Sequence, residues 1–335
     1  MRASLVLSIL IGLSAVSCTS GTVATAPMVS SFSPWHGMPG AFVKVTGSGF
    51  TGVTSVTFNG VRASFTVKSN TEINAKVPSH ATNGPVAVTT SGGTGKSSAA
   101  FPVDNVVEAG HDVSSLKSDT YHLQADEWNS SAPLTIASDG NLDFWITNSG
   151  LSNSTSGGPG AYPSLYKGCH WGDCTANSGL PMAVSAVTNP GTVTTSYRTS
   201  TVAGGAWDAS YDIWFNPNAT TADNLGGLEM IIWLTSQGSV QPLGSEVARS
   251  VTIGGRNYNV WYGVNGNGAT VSFVLGNPTT SVDNLDLGPL AAFAVDRGYM
   301  PSTWYLIDVE AGFEPWQGGE GLTVKSFVVC DAKGC

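Results

Sequence analysis

Charge is scarce in this chain. Asp, Glu, Lys and Arg make up only 11% of its 335 residues. Acidic residues are almost missing from positions 1–103, which hold one Asp/Glu against six Lys/Arg. Basic residues are scarce beyond, with eight against 22 acids. That deficit excludes a nucleic-acid surface on the larger part, because phosphate contacts need a basic face. The apolar run Leu5 to Leu13 is too short to span a membrane. Neither pair of nearby cysteines has CxxC spacing, so a zinc site is weakly supported. Helical periodicity is nearly absent too. What is abundant is Gly, 41 residues, with many Ser and Thr. Such a composition fits an exported all-β protein with many turns.

Charge divides the chain. Residues 1–103 carry a net +5 and residues 104–335 a net −14, which marks a domain boundary. Nine of the ten Trp lie beyond residue 103, pointing to a binding surface there. Residues 1–18 read as an export signal: Arg2, the apolar run, then Ala15-Val16-Ser17-Cys18. These four resemble a bacterial lipobox, with Ala15 where that pattern prefers Leu. Five cysteines are an odd number for an exported chain. Cys169 with Cys174, and Cys330 with Cys335, are each spaced to close a small loop. Cys18 is left over for a lipid. The expected location is therefore the cell surface, or the medium if a simple signal is cleaved. Residues 19–26 read as a short tether.

From Pro27 to Val103, short alternating runs such as Val53 to Phe58 and Glu72 to Val77 are separated by turn signals such as Asn59-Gly60 and Gly92-Gly93. About seven strands in this length suggest a β-sandwich. Val45-Thr46-Gly47-Ser48-Gly49-Phe50, Val56-Thr57-Phe58-Asn59-Gly60, Val77-Pro78 and Gly92-Gly93 resemble the immunoglobulin-like IPT/TIG module. That resemblance implies a spacer or interaction domain, and no catalytic constellation is visible in it. Residues 104–111 read as a linker and 112–335 as one large domain. About a dozen strand-like runs recur in it, with one helical stretch. There Leu290, Phe293, Ala294 and Arg297 share a helical period, and Gly298 follows as a stop.

Three of these strands carry acids. Side chains alternate between the faces of a strand. In Gly227 to Leu234, Leu228, Met230, Ile232 and Leu234 form an apolar face, and Glu229, Ile231 and Trp233 form the other. In Tyr305 to Trp316, Ile307, Val309, Ala311 and Phe313 face the core, while Asp308, Glu310, Glu314 and Trp316 face away. Asp212 and Trp214 face away on a third strand. A carboxylate on a half-buried apolar strand is costly unless it serves something. Paired carboxylates beside Trp suit a sugar cleft, since a pyranose offers an apolar face and a rim of hydroxyls.

Trp207-Asp208-Ala209-Ser210-Tyr211-Asp212-Ile213-Trp214-Phe215, Glu229-Met230-Ile231-Ile232-Trp233, Tyr166-Lys167-Gly168-Cys169-His170-Trp171-Gly172 and Gly312-Phe313-Glu314-Pro315-Trp316 resemble glycoside hydrolase family 12. The likeness covers roughly residues 112–330. It implies a β-jelly roll of two curved antiparallel sheets that cleaves β-1,4-glucan chains internally with net retention and needs no cofactor or metal. Glu229 then matches the nucleophile and Glu314 the general acid/base. Asp212 matches the acid that places the nucleophile. Trp128, Trp233 and, on weaker grounds, Trp171 match sugar-binding positions. Cys169 and Cys174 match a disulfide near the cleft. Ile231 replaces the usual Met, and Asp126 the usual Asn, which leaves subsite preference open. Glu310 is the rival acid, but its sequence context favours Glu314, and Glu310 is expected to raise the pKa of Glu314. The expected activity is that of a monomeric endo-β-1,4-glucanase. Xyloglucan specificity is the alternative within the class, and a non-catalytic glucan-binding lipoprotein the alternative outside it.

Overall fold

A computed structural model describes residues 25–219 and 223–335. The export signal of residues 1–18, its Cys18, and residues 19–24 of the tether lie outside the described residues. None of the described helices is long and apolar enough to cross a membrane.

Two hydrophobic cores form. The first lies between two four-stranded sheets built from residues 28–101. Val43, Val45, Phe50, Val56, Phe58, Ile73 and Phe101 fill it, all fully buried. All but Phe50, which follows the Phe42–Ser48 strand, lie on strands, and Val43 with Val45 and Val56 with Phe58 alternate as half-buried strands require. Eight strands stand where about seven were expected.

The second core separates two larger sheets. Along the main path, the larger sheet runs in the order Val113–Leu116, Tyr121–Gln124, Ser164–His170, Tyr305–Gln317, Ala206–Asn216, Gly227–Gln237, Gly268–Leu275, Arg256–Val264 and Ser245–Ile253. Its pairs are antiparallel except Gly227–Gln237 with Gly268–Leu275, which are parallel because a hairpin intervenes between them in the chain. The outer sheet has six strands: Ser281–Asp286, Thr194–Ser200, Thr323–Cys330, Phe144–Ser149, Leu134–Ser138 and Val106–Ala109. The helix forms over Gly288–Asp296 and buries Leu290, Ala291 and Ala294. Gly298 follows it at φ 72°, a left-handed stop that suits glycine. A second, four-residue helix, Val184–Val187, has no such signal in the sequence.

Residues 104–111 are not a free linker. Val106–Ala109 pairs with Leu134–Ser138 as the edge of the outer sheet, and Glu108 is buried. The junction is also tied by side chains. Asp104 accepts from His36 Nδ1 at 2.7 Å and from Trp145 Nε1 at 3.2 Å. Asn83 Nδ2 donates to Asp143 Oδ2 at 3.0 Å. Both expected loops are closed, by disulfides Cys169–Cys174 and Cys330–Cys335.

Candidate active site

The alternation read from the sequence places the acids where expected, with one slip. Leu228, Met230, Ile232 and Leu234 lie in the core, as do Tyr211, Ile213, Val309, Ala311 and Phe313. Below Asp308 the register with Ala206–Asn216 shifts, so that Leu306 and not Ile307 joins that core. Above it, Asp212 pairs with Glu310 on one side and Ile231 on the other. Glu229 stands level with Trp214, and Glu314 level with Asp208.

Six residues along a flat strand would hold those two levels about 20 Å apart. Yet Glu229 and Glu314 line the same two cavities. The sheet must therefore curl strongly on this face, turning the ends of neighbouring strands toward each other. Three cavities join along the face. One, containing Asp126, His170 and Trp171, shares these and Trp128 with the next. That one holds Asp212, Trp214, Glu229 and Glu314. It shares Trp128 and both glutamates with a third, which continues past Ile231, Trp233 and Trp316. The carboxyls thus sit midway along a groove that runs on to either side.

Their environments differ. Glu229 Oε2 accepts a 2.6 Å hydrogen bond from Thr270 Oγ1. Burial raises the Glu229 pKa, and this hydrogen bond works against the rise. Glu314 has carboxyls for neighbours. Burial, then Asp208, then Glu229 hold its pKa well above the usual range, with the nearby Trp233 indole opposing. Asp212 is buried, and desolvation with Glu229, Glu310 and Glu314 nearby keeps it well above the ordinary carboxyl value. Asp126, also in the groove, is pushed up to about 6 by burial.

Glu310 differs from Glu314 in what surrounds it. It is completely buried. Gln124 Nε2 at 3.0 Å and Ser164 Oγ at 2.7 Å donate to one oxygen, and His170 Nδ1 lies 2.5 Å from the other. A carboxyl so enclosed has no oxygen free for a substrate. The acid that raises the Glu314 pKa most is Asp208, ahead of Glu229. Glu310 stands four residues back along the strand, about 13 Å, and its charge bears on Asp212 and Glu229. His170 sits between Glu310 and Asp308. Burial disfavours its charge, but those two carboxyls hold its pKa well above the usual value.

Of the sugar-binding candidates, Trp128 is 54% and Trp171 40% exposed at the groove, free to meet a ring face. Trp233 is only 3% exposed and packs edge-on to Trp316 at 6.3 Å, so it offers an edge and not an open platform. Asp208, His170 and Thr270 were not singled out from the sequence. The first two stand inside the motifs already quoted. Thr270 carries no local signal, because only the parallel pairing brings it to Glu229.

The glycosyl hydrolase family 12 model matches residues 119–330, and the IPT/TIG domain model matches residues 27–103. The chain belongs to glycosyl hydrolase family 12. The probable cellulase Cel12b of Mycobacterium tuberculosis is 36% identical over 149 residues, 44% of this chain and 94% of that protein. Endoglucanase A of Aspergillus kawachii is 33% identical over 186 residues, 52% of this chain and 72% of that one. Among solved structures, endoglucanase cel12A from Rhodothermus marinus superimposes with a TM-score of 0.63 at 37% identity, over 67% of this chain and 98% of its own. A family 12 xyloglucanase from Bacillus licheniformis gives 0.60 at 25% identity, over 67% and 99%. This family 12 domain is thus a jelly roll, with an IPT/TIG module before it.

Proposed function

We propose that this family 12 enzyme is a retaining endo-β-1,4-glucanase, with Glu229 as nucleophile and Glu314 as general acid/base. The observation that carries this is the difference between the two carboxyls in one groove. Thr270 donates to Glu229 and favours its ionised form. Glu314, set among carboxyls, keeps its proton. Two acids held apart in this way can play opposite parts.

Glu229 attacks the anomeric carbon while Glu314 gives its proton to the leaving glycosidic oxygen. A glycosyl ester forms on Glu229. Glu314, now a base, takes a proton from water, which attacks the ester and restores the anomeric configuration. Asp212 lies close enough to Glu229 for that carboxylate to help raise the Asp212 pKa, the place of an acid that positions the nucleophile. Trp128 and Trp171 offer ring faces to the glucan. A groove continuing on both sides of the carboxyls admits the middle of a chain, hence internal cleavage.

Glu229→Gln and Glu314→Gln should each lower kcat on unbranched β-glucan by at least about a thousandfold with the melting temperature kept. Near-normal activity of Glu314→Gln beside an inactive Glu310→Gln would reassign the acid. Xyloglucan belongs in the same substrate panel as the contrast. Glucan binding without release of reducing ends would favour a non-catalytic role. The reading further takes the enzyme as an exported monomer with a lipid on Cys18. The mass of the mature N-terminus and the sedimentation of the purified chain test those two points.

A further inference from the structure

A second acid on the groove face of the Ala206–Asn216 strand has no part in the displacement described above. Asp208 stands directly opposite Glu314 across the strand pair. Directly opposed side chains leave the sheet on one face with Cβ atoms about 5 Å apart. Asp208 is completely buried and neither carboxyl oxygen has a well-formed hydrogen bond, while Ser210, the Glu314 backbone N–H and the Glu314 carboxyl lie close enough to oppose the effect of burial. The strands Ala206–Asn216, Gly227–Gln237 and Tyr305–Gln317 contain no Lys or Arg that could neutralise it. The titratable groups around the pair are Asp212 on the same strand, Glu229 on the next, Tyr162 just ahead of the Ser164–His170 strand and Tyr197 from the outer sheet. Ser210 and Trp233 are the polar neighbours. Two adjacent carboxyls without a cation resist ionising together, so the second proton is held more tightly than the first.

We propose that Asp208 and Glu314 hold one proton between them, and that Asp208 is the positioning residue that sets when the acid/base is protonated. This rests on Glu314 being that acid/base. Burial pushes Asp208 up to about 7, and burial with Asp208 beside it holds Glu314 well above its ordinary range. The pair titrates as a unit, with two steps that belong to both residues. Sharing works in opposite directions in the two halves of the reaction. Glu314 is a weaker acid while Asp208 is charged beside it. Once its proton has gone to the leaving sugar, two adjacent carboxylates make it a stronger base for the attacking water.

Carbon-13 NMR titration of the side-chain carboxyls in the full chain tests this, with Glu314→Gln identifying the Glu314 resonance. In Asp208→Asn, the Glu314 midpoint should fall by about one pH unit or more, and the alkaline limb of the kcat/KM profile should be displaced. A limb that stays put while the enzyme remains folded and active overturns the role in catalysis. A Glu314 midpoint that does not fall overturns the shared proton. Asp208→Ser separates charge from shape and stands in if the Asn variant does not fold. A fall in Ser but not in Asn would point to packing and overturn the proposal. Should Glu314→Gln keep its activity, the acid assignment fails instead, and the Asp208 titration still reports on the shared proton.

Discussion

Thr270 Oγ1 donates to Glu229 Oε2 at 2.6 Å across the one parallel strand pair of the large sheet, where the two residues are register partners. The bond favours the ionised carboxyl, which the nucleophile needs. Thr270→Val keeps the branched shape and removes the donor. The Glu229 pKa then rises, so the acid limb of kcat/KM should move to higher pH by about one unit, the equivalent of ~1.4 kcal/mol. Activity on the alkaline side should be little changed. An acid limb that does not move would mean that the hydroxyl only fills space.

His170 compensates two fully buried carboxyls, Glu310 at 2.5 Å and Asp308 at 3.4 Å. Removing one partner of a buried ion pair leaves an unpaired charge and costs about 3–5 kcal/mol. His170→Gln should therefore lower the melting temperature by many degrees. The sign with pH follows from linkage. The folded pKa of His170 lies above the unfolded value. Its contribution is then fully present below the unfolded pKa and fades as pH rises through the folded one. The gap between wild type and variant should narrow as pH rises. Chemical denaturation at a series of pH values measures it, and a gap that widens would contradict the ion pair.

Much of this was legible from alternation. Leu228, Met230, Ile232 and Leu234 predicted a buried face, and Glu229 followed on the other. The two-domain reading came from a charge step at residue 103, and two separate cores stand on its two sides. Other features have no local signal. Thr270 reaches Glu229 only through strand pairing, and Trp233 is covered by residues distant in sequence, Ala206, Val274 and Trp316. Glu310 and Glu314 look alike by parity. What separates them is three polar neighbours, Gln124, Ser164 and His170, drawn from two other strands. The residues read as a linker were misjudged because Val106–Ala109 is short. A four-residue edge strand is identified by its partner, Leu134–Ser138, more than by its own sequence.

Asp104 couples the two domains through His36 and Trp145. Asp104→Ala leaves the buried Trp145 indole N–H without an acceptor, at a cost of about 1–3 kcal/mol. The cost should fall at the junction and not on the groove. Proteolysis within residues 104–111 should quicken several-fold while kcat on a soluble glucan stays within twofold. Equal protease resistance of variant and wild type would show that the edge strand alone holds the junction.

Gly312 lies between Glu310 and Glu314 on their strand and pairs with Ser164. A Cβ added there would stand 2.0 Å from the Pro163 carbonyl oxygen, against backbone that cannot swing aside. Gly312→Ala must push the Ser164–His170 and Tyr305–Gln317 strands apart, which should cost about 1–3 kcal/mol. Glu314 is two residues along, so its aim should suffer as well. The expected result is a kcat lowered more than tenfold at temperatures where the variant is still folded. Gly204→Ala is the control. A Cβ there meets nothing within 4 Å and its φ is ordinary, so stability should change by less than about 0.5 kcal/mol. Equal losses in the two variants would show that close backbone approach is not what Gly312 provides.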